Sequence, residues 1–180
     1  MKIVEKIRLL FTINKKESYL LLYYILGFYP KNITFYEEAL LHKSSSKGFR
    51  GHHLNNERLE FLGDAVLNAV IADIIYQKFP NRNEGFLTDT RSKIVKRETM
   101  NQIAKELGLH CLIVSCVNNQ KSHILGNALE AFIGAIYLDR GYQKTHQFIE
   151  TKIIRPYIDI EAVAKKEVNF KSKLLEWSQK

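Results

Sequence analysis

The sequence predicts an all-α protein, a single helical bundle. Only three prolines and nine glycines punctuate its 180 residues. Apolar residues recur at spacings of three and four through most of the chain, as they do in helices packed on a core. Strict apolar–polar alternation, the mark of half-buried strands, is scarce.

The elements follow in order. Residues 19–28 read as a first apolar helix, ended near Gly27 and Pro30, and residues 34–42 as a short second one. A polar, basic loop covers residues 43–56. A long helix then runs from residue 56 to residue 79, with Asn55 or Asn56 available as its cap and Pro80 as its stop. Residues 84–107 read as two helices closed by Gly108. Residues 111–117 are a short strand or an apolar loop. Residues 122–139 form a second strongly apolar helix ended by Gly141, and residues 142–157 another. Residues 158–167 read as a connector, and residues 169–180 as an amphipathic helix with Phe170, Leu174 and Trp177 on one face.

Composition narrows the class. At 46% hydrophobic and 26% charged residues, the chain falls in the globular range and outside the disordered one. Its two cysteines, Cys111 and Cys116, build neither a disulfide framework nor a zinc finger. They read as small buried apolar side chains in a reducing, cytoplasmic setting. Charges interrupt the apolar residues at the N-terminus, so no signal peptide is expected. The uncharged run over residues 18–30 is far short of the roughly 20 residues that span a bilayer. The formal charge of +8 calls for an anionic partner: nucleic acid, a membrane surface or an acidic protein.

The chemical signal lies on two helices. Glu57, Glu60 and Asp64 are spaced i, i+3, i+7, which places them within about 60° of one helix face. Their neighbours Leu59, Phe61, Leu62, Val66 and Leu67 make this helix apolar around much of its circumference, so it should be largely buried. Ionised carboxylates there are costly without a compensating cation. On the second helix, Asn127 and Glu130 share a face within an otherwise apolar stretch. Gly63 and Gly134 stand mid-helix, where glycine costs about 1 kcal/mol relative to alanine. Close approach of the two helices would justify both. Oxygen ligands on two facing helices suit a hard divalent cation such as Mg²⁺ or Mn²⁺. The competing reading pairs Glu57 with Arg58 or a basic residue elsewhere and leaves the other carboxylates partly exposed.

Residues 56–67, Asn-Glu-Arg-Leu-Glu-Phe-Leu-Gly-Asp-Ala-Val-Leu, resemble the signature of the ribonuclease III family nearly letter for letter. Residues 39–44 (Ala-Leu-Leu-His-Lys-Ser) resemble the segment ahead of that signature. Residues 84–87 with Arg91 resemble the middle of the domain, and residues 127–139 its second catalytic helix. The resemblance covers residues 18–157. It implies an all-α endonuclease domain that cleaves double-stranded RNA with Mg²⁺, Mn²⁺ being a substitute. It also implies a homodimer in which each subunit cuts one strand, leaving 5′-phosphate and 3′-hydroxyl ends. By the same resemblance Glu60, Asn127 and Glu130 are metal ligands, and Asp64 and Glu130 catalytic. Glu57 lies near the RNA, and Phe61 inserts into a pocket of the partner subunit. One departure stands out: most bacterial members have aspartate where this chain has Asn127. The amide still offers an oxygen ligand but removes a negative charge.

Arg82, Arg91, Lys93, Lys96 and Arg97 are candidates for phosphate contacts with the substrate. A-form RNA is read through its backbone and 2′-hydroxyls, so binding should be sequence-tolerant and salt-sensitive. Residues 1–160 are expected to form the nuclease domain. Residues 161–180 are expected to be a linker and the first helix of a truncated double-stranded RNA-binding domain, which that helix resembles. Ribosomal RNA and other RNA precursors are the family's usual substrates; neither a membrane nor a small-molecule substrate is expected. The rival reading is a non-catalytic RNA-binding or ribosome-associated module that keeps the fold. A histidine–aspartate phosphohydrolase is set aside because no His-Asp dipeptide occurs.

Overall fold

A computed structural model describes residues 15–45, 48–49, 52–115 and 123–166. The expected helix over residues 169–180, and Cys116, lie outside them. The helices are α1 (Lys15–Leu26), α2 (Thr34–Ala39), α3 (Glu57–Lys78), α4 (Glu84–Ile94), α5 (Arg97–Glu106), α6 (Ile124–Phe148), the single turn α7 (Arg155–Tyr157) and α8 (Ile160–Lys165). A π-helical segment, Ile149–Ile154, joins α6 to α7. Gly48–Phe49 (β1) and His52–His53 (β2) form a minimal antiparallel hairpin, the only paired strands among the described residues.

α3 and α6 are the centre of the bundle and pack along each other, with α2 and α5 against α6, α4 against α3, and α8 against α4. The sequence dictates this arrangement. α3 buries Leu59, Gly63, Val66, Leu67, Val70, Ile71 and Ile75, an i, i+3, i+4 stripe. α6 is buried around most of its girth from Ile124 to Ile136. Phe132 has no solvent exposure and meets Tyr36 of α2 edge-on at 5.4 Å between ring centroids. Burying a side chain of that size contributes about 1.5–3 kcal/mol.

The two mid-helix glycines sit where α3 and α6 touch. A Cβ placed on Gly63 would lie 1.7 Å from the carbonyl oxygen of Glu130; one on Gly134 would lie 2.4 Å from that of Leu59. Backbone meets backbone here, and only glycine permits it. Asp139, near the end of the same helix, is a second anchor. Its carboxylate accepts from the Lys31 and Asn32 amides and from the Tyr36 hydroxyl, tying the α1–α2 turn to α6.

The sequence expectations hold in kind and shift in extent. α1 starts earlier than expected and ends at Gly27, whose φ of 75° makes a left-handed stop. α2 ends at Ala39, because Leu41 leaves the helix to bridge Val114 in parallel. The segment read as a strand or apolar loop is a 3₁₀ turn, Leu109–Cys111, followed by that bridge. Gly141 breaks α6 with φ 76° and ψ 177°, where the sequence placed a helix boundary. The expected connector over residues 158–167 contains α8. Asp159 caps it, accepting from the Glu161 and Ala162 amides, a cap the connector reading overlooked. Cys111 is exposed rather than buried, its Sγ 3.2 Å from His110 Nε2.

Candidate active site

α3 and α6 bring the predicted carboxylates to one edge of their contact. Glu60 and Glu130 are half-buried, and Glu57 and Asp64 are exposed. The expectation of a buried acidic cluster therefore holds for two carboxylates and needs correction for the others. Glu57 and Asp64 lie at the helix edge, outside the stripe that meets the core.

Electrostatics couples the group. Burial raises the Glu130 carboxyl to about 7, with the charges of Asp64 and Glu60 adding to the shift and Arg97 opposing it. Burial also raises Glu60. A side-chain hydrogen bond from Asn127 and the charges of Lys43 and Arg97 oppose that rise, while Glu57 adds to it. Glu60, Asp64, Asn127 and Glu130 thus act on one another, as their spacing predicts. Among the described residues, no three His, Cys, Asp or Glu side chains form a group that could hold an ion by themselves. With the Asn127 amide counted beside the carboxylates, every candidate donor is oxygen. Such a set fits a hard cation that keeps several of its waters.

Supporting side chains complete the edge, and several were not singled out from sequence. Asn68 donates to the Asp64 carboxylate and to its backbone carbonyl, each at 2.9 Å. Its position four residues after Asp64 on a helix was the available signal. Asn55 accepts from the Glu57 amide at 3.0 Å and so caps α3, whereas Asn56 makes no side-chain cap. Lys43 pairs with Glu57 at 3.0 Å, which holds the Glu57 carboxyl below the usual range. From α5, Asn101 Oδ1 accepts from the Gly126 amide at 2.7 Å and pins the first turn of α6.

The cationic candidates divide. Lys96 and Arg97 are exposed where α5 begins, and Arg97 is felt by both Glu60 and Glu130. Arg91 is half-buried. Arg82 is exposed, with its guanidinium 4.8 Å from the centre of the Phe86 ring. Lys93 departs from expectation: its side chain is 8% exposed and its ammonium pairs with Asp89 within α4. A lysine so enclosed presents no free charge to a phosphate.

On the neighbouring face of α3, Phe61 is 80% exposed. It borders a hollow of about 700 Å³ lined also by Phe35, Leu59, Leu62 and Leu138 and by the charged Glu38, Glu57 and Arg58. An isolated exposed apolar residue is ordinary, but an exposed aromatic beside a hollow is a candidate interaction surface.

A family model described as Ribonuclease-III-like matches residues 32–157. The chain belongs to this family. Ribonuclease 3 of Azobacteroides pseudotrichonymphae is 62% identical over 169 residues, covering 93% of this chain and 65% of that one. Ribonuclease 3 of Bacteroides fragilis is 59% identical over 180 residues, covering 98% and 62%. The chain therefore spans just under two thirds of the length of these ribonuclease-III-family relatives. Among solved structures, the nuclease domain of ribonuclease III from Campylobacter jejuni is similar with a TM-score of 0.68 and 36% identity, covering 77% of this chain and 97% of that one. A second structure of that Campylobacter domain is described as flexible in a region involved in dimer formation. The matched span holds α2 to α7, and with them every candidate ligand.

Proposed function

We propose that this chain is the nuclease part of a Mg²⁺-dependent endoribonuclease that cleaves double-stranded RNA by hydrolysing phosphodiester bonds. One observation carries the reading. Within a ribonuclease III fold, the backbone contact of α3 and α6 brings the half-buried Glu60 and Glu130 near enough that their charges and that of Asp64 act on one another, an electrostatic cost that a cation would relieve.

Glu60, Asn127 and Glu130 would hold the ion. When bound, Mg²⁺ or Mn²⁺ supplies a water of lowered pKa and offsets charge on the leaving 3′-oxygen. Asp64, which accepts a hydrogen bond from Asn68, would help order that water. Arg97 and Lys96 offer exposed charges to the RNA backbone, with Arg91 and Arg82 further along α4 and its approach. Lys93 is left out of this group because of its pairing with Asp89. Glu57, at the open edge, faces the substrate side with Lys43 bound to it. The products carry 5′-phosphate and 3′-hydroxyl ends.

The active form in this reading is a homodimer in which Phe61 of each subunit enters the hollow of the other. In this reading the nuclease domain extends through α8, which packs against α4, rather than ending at residue 160. Among the described residues no helix is long and apolar enough to cross a membrane. A cytoplasmic role in processing ribosomal and other RNA precursors follows from the family. The test is incubation of the pure protein with long duplex RNA, single-stranded RNA and duplex DNA in Mg²⁺. Cleavage of duplex RNA alone is expected. Duplex binding without cleavage at any Mg²⁺ or Mn²⁺ concentration would support a non-catalytic RNA-binding module instead.

A further inference from the structure

We propose that the hollow between the α1–α2 turn and the C-terminal end of α6 is a binding site for a phosphate group. It is separate from the acidic cluster and independent of the reading given to that cluster.

The hollow measures about 110 Å³. Leu26, Phe28 and Phe148 give it apolar walls, Lys144, Gln147, Thr151 and Lys152 give it polar ones, and Gly27 completes the turn beside it. No carboxylate lines it. Ten residues of α6, about 15 Å of helix, separate Glu130 from Arg140, and the chain then breaks at Gly141 before it reaches Lys144.

Helix geometry gathers the cations. Lys144 and Lys152 are eight residues apart, a spacing that drifts by about 80° around an α-helix. The π-helical turn over Ile149–Ile154 is wider, takes up part of that drift, and lets both lysines reach one hollow. Lys152 packs its stem against the turn: a Cβ placed on Gly27 would lie 3.4 Å from its Cε. Over the Phe28 ring lie Lys144 Nζ, 5.4 Å from the centroid, and the Arg140 guanidinium, 5.2 Å from it. Three positive charges therefore surround Gly27 and Phe28.

These charges lack a counter-ion. Arg140, Lys144 and Lys152 are half-buried, and among the described residues none of them is paired with a carboxylate. The acidic residues beside them in the chain are engaged elsewhere. Glu150 is bound to Arg155 at 2.7 Å, and Asp139 accepts from the Lys31 and Asn32 amides and the Tyr36 hydroxyl. The Phe28 ring offsets part of the cost of holding Lys144 and Arg140 together, but a ring face carries no full charge. Lys144 gives one of its three donors to Gln147 Oε1 at 2.8 Å, and Thr151 donates to the Gln147 backbone carbonyl at 2.6 Å. The donors left for a ligand in the hollow are those of Lys144, Lys152 and the Gln147 NH₂ group. Two ammonium groups and an amide suit an acceptor-only anion with several oxygens, which is the chemistry of phosphate. Such a group is carried by an RNA backbone or by a small phosphate compound.

The experiment titrates the whole chain with inorganic phosphate in EDTA at constant ionic strength, following the backbone amides by ¹⁵N NMR. Saturable shifts at Gly27, Phe28 and Thr151, with none at Glu60 or Glu130, are expected. Lys144→Gln and Lys152→Gln should leave the rest of the spectrum unchanged and each weaken phosphate by about tenfold or more, the worth of a hydrogen bond to a charged group. Lys144→Arg keeps the charge and should keep binding. Duplex RNA then separates the two sources. If the site takes the RNA backbone, the double glutamine variant lowers the slope of log affinity against log salt by about two. An unchanged slope beside lost phosphate binding assigns the site to a small phosphate compound. Shifts that grow without saturating, or wild-type phosphate affinity in both glutamine variants, overturn the proposal.

Discussion

Gly63→Ala is the most demanding perturbation of this architecture. The added Cβ would stand 1.7 Å from the Glu130 carbonyl oxygen, 2.6 Å from its carbon and 2.8 Å from the Gly134 nitrogen. Ordinary carbon–oxygen contact begins near 3.3 Å, so α3 and α6 must part by roughly 1.6 Å. The obstacle is backbone, which no rotamer change can remove. Overpacking of a core costs about 1–3 kcal/mol, and occasionally more. Alanine returns about 1 kcal/mol of helix propensity. Because two main chains must move, the overpacking cost should lie at roughly 3–4 kcal/mol, so the net loss is about 2–3 kcal/mol, or roughly 4–12 °C in melting temperature for a chain of this size. The same displacement separates Glu130 from Glu60, and misplacement by 1 Å can lower a rate about 100-fold. Urea and thermal unfolding measure the first effect, and single-turnover RNA cleavage the second. Gly85→Ala is the control: that glycine is exposed and its nearest neighbour, Asn83 Oδ1, is 3.8 Å away. It should change stability by no more than about 1 kcal/mol. Wild-type melting and cleavage in Gly63→Ala would refute the backbone contact on which the site is built.

Other outcomes follow from single residues. Phe61→Ala should leave the fold of each subunit intact, since the ring is 80% exposed, and should weaken self-association. Two buried rings at about 1.5–3 kcal/mol each raise the dimer dissociation constant by roughly 10²–10⁴-fold, measurable by sedimentation. The folded protein holds the Glu130 proton up to about pH 7 against an ordinary 4.5, so this group's contribution to stability is present below 4.5 and lost as pH rises through 7. Metal-free wild type should therefore lose melting temperature from pH 5 to pH 8 relative to Glu130→Gln; parallel curves for the two proteins would contradict this. Asp139→Ala strands the Lys31 and Asn32 amides and the Tyr36 hydroxyl. It should cost about 2–4 kcal/mol in urea unfolding, and an unchanged midpoint would show that water replaces the carboxylate.

What was legible in the sequence is what depends on periodicity. The i, i+3, i+7 spacing of Glu57, Glu60 and Asp64 placed them on one face, and the mid-helix glycines announced the approach of α3 and α6. Both readings come from local helical geometry, which a sequence carries without its tertiary context. Depth at the helix edge was not legible. Glu60 is half-buried and Asp64 exposed although they are one turn apart, because the position of α6 decides which side of α3 is covered. Lys93 shows the same limit: it read as a candidate phosphate contact, but α4 turns it inward to Asp89. The π-helical segment at Ile149–Ile154 left no sequence signal, since its apolar pattern reads as an ordinary helix. The α8 cap did leave one, in Asp159 ahead of Ile160, which the connector reading passed over.

The central claim is that the α3–α6 oxygen cluster cuts duplex RNA. The direct measurement is single-turnover cleavage of an end-labelled RNA duplex by wild type and Glu130→Gln, with and without Mg²⁺, beside duplex-binding affinity for both. Cleavage only by wild type and only with Mg²⁺, at equal duplex affinity, is the predicted result. Wild-type turnover by Glu130→Gln, or cleavage that persists in EDTA, would contradict it.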